Sequence, residues 1–196
     1  IQIGVRYGSD EANAIAEQLM THINHESKLA SHELAEERGP FADYEDSKYA
    51  DPTEYREWFE HHTGEDADEW ADGFPIRNHN TTTIAPTGTT SMIGNTTGGC
   101  EPIYNVAYYK NVSDDVQGDE MLVEFDDYFL RILEENDIDV EAVKQEAQEQ
   151  MAENEFDGVD GLETVPEAIG ELFVVTSDLS GKEHAGVQCA CQTGVD

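Results

Sequence analysis

The sequence predicts an α/β fold, and two kinds of pattern along its 196 residues support that prediction. Apolar residues recur with helical spacing in several long segments. Short runs rich in β-branched and aromatic residues lie between those segments and end near Gly or Pro. Helices that alternate with strands along a chain are typical of an α/β layer.

The first long element is a predicted helix that begins after Ser9 and ends at Gly39-Pro40. Ser9 suits an N-cap, and Asp10 and Glu11 suit the positive end of the helix dipole. Gly and Pro stop a helix at its C-terminus. A stripe with helical spacing runs along this segment: Ala12, Ile15, Ala16, Leu19, Met20, Ile23, Ala30 and Leu34.

Shorter elements continue the alternation as far as residue 112. The patterns predict one or two acidic helices in 52–72, a strand at 81–85, a short helix at 89–95 and an aromatic strand at 103–112.

The remainder of the chain is mostly predicted helix. The expected elements are an amphipathic helix marked by Leu122, Phe125, Phe129, Ile132 and Leu133, a polar and exposed helix at 140–151, and helices at 166–175 and 181–193. Phe173-Val-Val could instead be a strand, and Asp157 to Gly161 is a solvated loop without the spacing of a calcium site.

The composition limits the possible partners. The chain has 44 acidic residues against 10 Lys and Arg, a formal charge of −34. This excess argues against binding a nucleic-acid backbone or an anionic membrane. Apolar periodicity argues against disorder through self-repulsion. We expect a folded cytoplasmic protein of halophilic type, because salt screens the repulsion and carboxylates keep the surface hydrated.

Targeting and cysteine signals are few. Three cysteines do not make a disulfide framework, and no signal peptide or membrane-length apolar run is recognisable. The first and last residues lie inside apolar or helical patterns, so we expect 1–196 to be a single partial domain with both ends cut.

The most informative segment is Thr83-Ile-Ala-Pro-Thr-Gly-Thr-Thr-Ser91. Pro86 can end a strand, and Gly88 lets a ligand approach the backbone closely. A helix that starts here presents free N–H groups to an anion. The segment lacks the lysine and spacing of a P-loop, and an ordinary strand–turn–helix junction explains the spacing equally well. The candidate anion-binding residues are Thr87, Gly88, Thr89, Thr90 and Ser91.

A longer string is far more specific. Asn80-Thr-Thr-Thr-Ile-Ala-Pro-Thr-Gly-Thr-Thr-Ser91, followed by Gly98-Gly-Cys-Glu-Pro-Ile-Tyr104, resembles the catalytic chain of ribonucleotide reductases. The match is closest to the adenosylcobalamin-dependent class II chain, which carries TIAPTGT-x-S and then GxEP. The resemblance also covers 4–12, Ala35 to Phe41, 165–176 and 184–192, whereas about 46–72 match poorly.

The resemblance implies the C-terminal part of a ten-stranded α/β barrel. It implies that residues 87–91 hold the substrate diphosphate at a helix N-terminus. The full enzyme would reduce ribonucleotides to deoxyribonucleotides by a thiyl radical, which homolysis of the cobalt–carbon bond of adenosylcobalamin generates. Its partners would be the ribonucleotide, the remainder of the reductase chain and an external dithiol reductant.

The resemblance implies that the catalytic residues lie in other parts of the reductase chain. The family's radical cysteine lies in an Asn-x-Cys-x-Glu loop, which is absent here, so no catalytic residue is predicted and the fragment alone should be inactive. Cys100, where the family is usually aliphatic, is predicted to be a wall of the substrate pocket. Glu101 could orient the ribose or brace the phosphate loop, and bracing is favoured because a carboxylate repels a diphosphate.

Other candidate groups have simpler interpretations. Cys189-Ala-Cys191 could be a dithiol or metal pair, but helix positions two apart do not face each other, so core packing is favoured. Three helix residues could bind zinc, although a solvated face is favoured without a fourth ligand: His22, His25 and His32. Three residues could relay a radical, although packing is the default: Tyr104, Tyr108 and Tyr109.

Alternatives from other classes remain. The chain could be a non-catalytic nucleotide-binding module that uses the same loop, or a structural acidic domain whose loop binds nothing. Calorimetry with a nucleoside diphosphate separates these two. Within the enzymes, the alternative is the large subunit of an iron-dependent reductase, which cobalamin dependence of turnover would distinguish.

Overall fold

Residues 1–110 and 122–195 are described in a computed structural model of the chain. Their contacts divide into two compact units. The first unit contains residues 1–12 and the described part of 101–185, and the second contains 13–100 and the residues from 186 onward. Each unit has its own buried apolar cluster.

Helices dominate the described residues. The helices are α1 (Asp10–Arg38), α2 (Arg56–Thr63), α3 (Gly88–Gly94), α4 (Asp127–Glu135), α5 (Val140–Glu153), α6 (Glu167–Leu172) and α7 (Gly181–Thr193), and the strands are β1 (Ala107–Lys110) and β2 (Leu122–Phe125). This mixture of helix and strand fits the predicted α/β class.

The two strands form an antiparallel pair in the first unit. Ala107 pairs with Phe125, and Lys110 pairs with Leu122. The strand predicted at 103–112 is therefore confirmed over its middle, while residues 111 and 112 lie outside the described part. The helix predicted at 166–175 ends at Leu172. Val175 has an extended backbone and forms a parallel bridge with Ile103, so the strand alternative for Phe173-Val-Val holds at Val175.

The helix predicted from Leu122 onward begins later than expected. Leu122 and Phe125 belong to β2, and the chain turns at Asp126. Asp126 caps α4 because its carboxylate accepts a hydrogen bond from the backbone N–H of Phe129 at 2.9 Å. The apolar spacing alone concealed this boundary, because strand residues three apart also match a helical stripe.

The core of the first unit is built from α4, α5 and the segment around Val175. Phe129 and Phe173 are fully buried, with ring centroids 5.1 Å apart. The prediction that α5 is exposed is wrong for one face, because Val143, Ala147 and Met151 are buried at intervals of four residues. The buried cluster is Val106, Phe129, Leu133, Val143, Ala147, Val159, Leu162, Val165, Phe173 and Val175.

The second unit packs α1 and α2 around an aromatic cluster. Its buried members are Tyr44, Tyr49, Phe59, Ala67, Phe74 and Ile76. The predicted length of α1 is confirmed, but its buried face is not the apolar stripe. Leu19 and Ile23 are 55% and 43% exposed, whereas the buried positions are Asn24, Lys28, Ser31 and Ala35.

The strand predicted at 81–85 is wrong. Residues 81–87 have no regular secondary structure. The hydroxyls of Thr81 and Thr82 bond instead to Ser27 and Asn24 of α1, at 2.7 and 2.9 Å. Tertiary contacts with a helix thus replace the strand partner that the β-branched run would need.

None of the helices in the described ranges combines the length and the apolar character that a bilayer crossing requires.

Candidate functional site

The Pro-Thr-Gly segment forms a tight turn into α3, as predicted. Thr87 is the N-cap and adopts a left-handed backbone, with φ of 43°. This conformation is unfavourable for a β-branched residue. The backbone N–H of Ser91 donates to the carbonyl of Thr87 at 2.8 Å, which closes the first turn of α3.

Two of the predicted phosphate-binding hydroxyls are used inside the loop. Thr87 Oγ1 accepts a hydrogen bond from the backbone N–H of Gly99 at 2.7 Å. Ser91 Oγ donates to the carbonyl of Gly88 at 2.8 Å. These two side chains therefore brace the turn.

The diglycine turn at Gly98 and Gly99 packs directly on the backbone of the loop. A Cβ on Gly98 would lie 2.7 Å from the carbonyl oxygen of Pro86. A Cβ on Gly99, whose φ is +55°, would lie 2.9 Å from that of Ala85. Only residues without a Cβ permit this approach, so the two segments form one compact structure.

The first turn of α3 presents its remaining groups to solvent. Gly88, Thr89 and Thr90 are exposed, and a Cβ on Gly88 would meet nothing within 4 Å. The first N–H groups of a helix have no partner within the helix. The amides of this turn and the hydroxyls of Thr89 and Thr90 are thus accessible from solvent, and donors of this kind can bind an oxyanion.

The loop lies in a segment whose lack of acidic residues is unusual for this chain and can be seen in the sequence. Although 44 of the 196 residues are Asp or Glu, residues 73–100 contain neither. Motif spacing does not reveal this gap. Glu101 follows the gap directly, but the segment 73–100 itself contributes no carboxylate that would repel an anion bound to the loop.

Cys100 contacts α7 within the second unit. Its Sγ donates to Gln188 Oε1 at 2.8 Å. Cys191 is buried, and this burial raises the pKa of its thiol. The nearby Cys100 raises that pKa further. Core packing is therefore confirmed for Cys191 but is wrong for Cys189, which is exposed. The role of Cys100 as a pocket wall stays a prediction.

Glu101 has a close side-chain partner in the first unit. Its Oε2 lies 2.8 Å from Nε2 of His184 at the start of α7. The His184 ring also packs edge-on against Tyr7, with centroids 6.4 Å apart. The expected bracing of the phosphate loop by Glu101 stays a prediction beside this observed pair.

The solvated face predicted for the histidines of α1 is wrong for one of them. His32 is not on a solvated face, since it stacks on Phe74 at 4.8 Å between centroids and bonds to the carbonyl of Pro75. Across residues 1–110 and 122–195, no group of three or more His, Cys, Asp or Glu could hold a metal ion.

The candidate relay tyrosines are exposed rather than packed: Tyr104, Tyr108 and Tyr109.

Comparison with known families decides which family the chain belongs to. The model of the ribonucleotide reductase barrel domain matches residues 1–196. The chain belongs to the ribonucleotide reductase barrel-domain family. This confirms the family expected from the Thr-Ile-Ala-Pro-Thr-Gly string.

Individual reductases are similar along the whole chain. The vitamin B12-dependent ribonucleoside-diphosphate reductase of Thermoplasma acidophilum is 32% identical over 202 residues, which cover 100% of this chain and 22% of the relative. The enzymes of the same description from two strains of Mycobacterium tuberculosis are 28% identical over 194 residues, covering 99% of this chain and 23% of each relative. The chain thus spans 22–23% of the length of the curated relatives it matches.

Proposed function

We propose that this chain works as part of a vitamin B12-dependent ribonucleotide reductase, which converts ribonucleotides to deoxyribonucleotides for DNA synthesis. The observation that carries the proposal is the match of the whole chain to the reductase barrel domain. The names of the similar reductases favour the cobalamin class over the iron-dependent large subunit. Loss of turnover on omitting adenosylcobalamin from the complete enzyme would test the class.

The role proposed for this part of the enzyme is to bind the diphosphate of the substrate. The residues are those predicted from sequence: Thr87, Gly88, Thr89, Thr90 and Ser91. Support comes from the exposed first turn of α3, the open side of Gly88 and the absence of acids from 73–100. Hydrogen bonds to a charged acceptor contribute about 1.5–3 kcal/mol each.

The five residues divide this work. Thr89 and Thr90 would contact the phosphate oxygens with their hydroxyls, and the amides of the first turn would add further donors. Thr87 and Ser91 would act by holding the turn, because their hydroxyls bond to Gly99 and Gly88. Strained backbone at Thr87 fits such a preorganised ligand site, since strain persists where the surroundings enforce it.

Adenosylcobalamin would supply the radical chemistry of the complete enzyme. We assign none of the described residues to the cofactor. What this chain contributes is orientation: a fixed diphosphate holds the ribose in one place for hydrogen abstraction. The thiols that carry electrons, the external dithiol reductant and the remainder of the reductase complete the proposal.

The same proposal implies a barrel topology for the complete enzyme and a cellular compartment in which it works. The described strands β1 and β2 would belong to the ten-stranded α/β barrel, which other segments of the reductase would complete. A reductase that supplies DNA precursors would work in the cytoplasm.

The phosphate role is tested by removing two hydroxyls at constant shape. Thr89→Val combined with Thr90→Val, in the complete reductase in molar KCl, should raise the KM for the ribonucleotide about tenfold or more, because two charge-assisted hydrogen bonds are lost. The matched control is Thr96→Val with Thr97→Val, two exposed threonines beyond α3. Unchanged KM and turnover in the first variant would exclude the loop as a phosphate site.

A further inference from the structure

The buried face of α1 is polar. Asn24, Lys28 and Ser31 are 3%, 0% and 2% exposed. Cores are normally filled by apolar side chains, so a row of buried polar groups requires partners. Each of these three residues has a hydrogen-bond partner in the segment 77–82, which leads into the Pro-Thr-Gly turn.

The first contacts lie near the start of that segment. The carbonyl of Ser31 accepts from the N–H of Arg77 at 2.9 Å, and its Oγ accepts from the N–H of Asn78 at 2.9 Å. Lys28 Nζ donates to the carbonyl of His79 at 3.2 Å. The backbone of 77–79 is thus held by the middle of α1.

The contacts continue towards the N-terminal end of α1. Ser27 Oγ donates to Thr81 Oγ1 at 2.7 Å, and Thr82 Oγ1 donates to Asn24 Oδ1 at 2.9 Å. From Ser31 back to Asn24 the helix rises about 10 Å, at about 1.5 Å per residue. An extended chain covers about 13 Å over four residues. The contacts follow opposite orders in the two segments, so 77–82 runs antiparallel along the helix and is attached to it at five of its six residues.

Lys28 is the most costly member of this row. A buried ammonium loses its hydration, and replacing a buried ionic group by an apolar residue of similar size is often neutral or stabilising. Its Nζ also lies 5.5 Å from the ring centroid of Tyr49. A buried charged group can specify a geometry without adding stability, and the bond from Lys28 Nζ to the His79 carbonyl joins it to the segment 77–82.

We propose that Asn24, Ser27, Lys28 and Ser31 form a polar clamp that sets the position of the phosphate-binding turn, with Lys28 as a positioning residue for substrate binding. The inference rests on the proposed phosphate role of residues 87–91. Thr82 is only five residues before Thr87, so a shift of the clamped segment is passed along a short stretch of chain. Displacement of a binding group by about 1 Å is enough to weaken its interactions strongly.

The test is Lys28→Met in the complete reductase, assayed in molar KCl. Methionine keeps most of the length and loses the donor. The KM for the ribonucleotide should rise about tenfold, with kcat changed by less than about twofold, because the diphosphate is not altered in the reaction and its binding acts on ground and transition states alike. The control is Lys48→Met, an exposed lysine of the same unit that lies over the Trp58 ring at 4.8 Å.

Hydrogen exchange gives a readout independent of activity. In Lys28→Met the two amides that are hydrogen-bonded within the loop, those of Ser91 and Gly99, should exchange faster, whereas those of α5 should keep their wild-type rates. Ser31→Ala, which removes the bond to the N–H of Asn78, should shift KM and exchange in the same direction. If Lys28→Met does not melt cooperatively, Ser31→Ala decides the question by the same criteria.

The outcomes separate the two proposals. If the Thr89/Thr90 double variant raises KM but Lys28→Met and Ser31→Ala do not, the clamp is wrong and the phosphate role stands. If the double variant leaves KM unchanged, the proposed function fails first. Combining Lys28→Met with the double variant should give less than the product of their separate effects, because both act on the same contacts, and full additivity would overturn the clamp.

Discussion

At the scale of single residues, backbone geometry sets the shape of the candidate site. Thr87 and Gly99 both have positive φ and are joined by a hydrogen bond from the amide of Gly99 to the threonine hydroxyl. The sequence pattern singled out the diglycine as part of the string that resembles the reductases. It did not reveal that both glycines lie against the carbonyls of Ala85 and Pro86, because such an approach depends on residues more than ten positions apart.

Gly99→Ala should therefore destabilise the loop. The substitution adds a Cβ 2.9 Å from the Ala85 carbonyl and places alanine at φ +55°, and unfavourable backbone of this kind costs about 1–3 kcal/mol. Thermal unfolding in molar KCl measures the effect. Gly88→Ala is the control for stability, because its Cβ meets nothing within 4 Å. Equal melting temperatures for the two variants would contradict the packing described for the diglycine turn.

The cysteines of α7 should differ in reactivity. Cys189 is exposed, whereas Cys191 is buried and its pKa is raised by burial and then by Cys100. The thiolate is the reactive form, so iodoacetamide at neutral pH should label Cys189 well before Cys191. Peptide mass spectrometry over a time course measures both rates. Faster labelling of Cys191 would show that α7 is oriented differently.

At the scale of elements, capping residues decide where helices begin. Ser180 and Glu183 form a capping box at α7, with the Ser180 N–H and hydroxyl donating to Glu183 Oε2 at 2.9 and 2.6 Å. Arg6 adds a bond to Glu183 Oε1 at 3.2 Å. These bonds, led by the Ser180 hydroxyl, lower the pKa of Glu183 from its ordinary 4.5 to about 2.

The capping box should make the stability of the first unit depend on acid pH. Because the folded-state pKa of Glu183 is lowered, its contribution is complete above about pH 4.5 and is lost as the pH falls towards 2. The difference in melting temperature between wild type and Glu183→Gln should accordingly be largest above pH 5 and disappear near pH 2. Glu134→Gln on α4 is the matched control. A difference independent of pH would rule out this linkage.

Local signals predicted most helices but not every boundary. Ser9 with two following acids marks the start of α1, and Asp126 and Asp139 cap α4 and α5 through their carboxylates. The start of α4 was missed because Leu122 and Phe125 fit a helical stripe while belonging to β2. The 81–85 strand was mispredicted because β-branched residues favour a sheet only where a partner strand is available.

At the scale of the whole molecule, charge dominates. A net charge of −34 on 196 residues opposes compaction by self-repulsion. The screening length is about 3 Å at 1 M salt and about 10 Å at 0.1 M, so molar salt suppresses most of this repulsion. The acid-free stretch 73–100, which contains the proposed phosphate loop, shows that the charge is not uniform along the sequence.

The fold should therefore loosen in dilute buffer. Far-UV circular dichroism in low salt should show less helix than in molar KCl, and the loss should reverse when KCl is added. The helices α1, α5 and α7 carry most of the signal because of their length. Spectra that coincide at both salt concentrations would refute the expected halophilic behaviour.

The sequence by itself determined the family, the turn at Pro86–Gly88 and most helices, because these depend on residues within a few positions of one another or on a long specific string. The tertiary structure alone decided which face of α1 is buried and which loop hydroxyls remain available. Ser27 meets Thr81, and Lys28 meets the His79 carbonyl, across more than fifty residues of chain. Periodicity along one helix carries no information about such partners. The apolar stripe of α1 is therefore partly exposed, although its spacing predicted a core position, while Lys28 is buried.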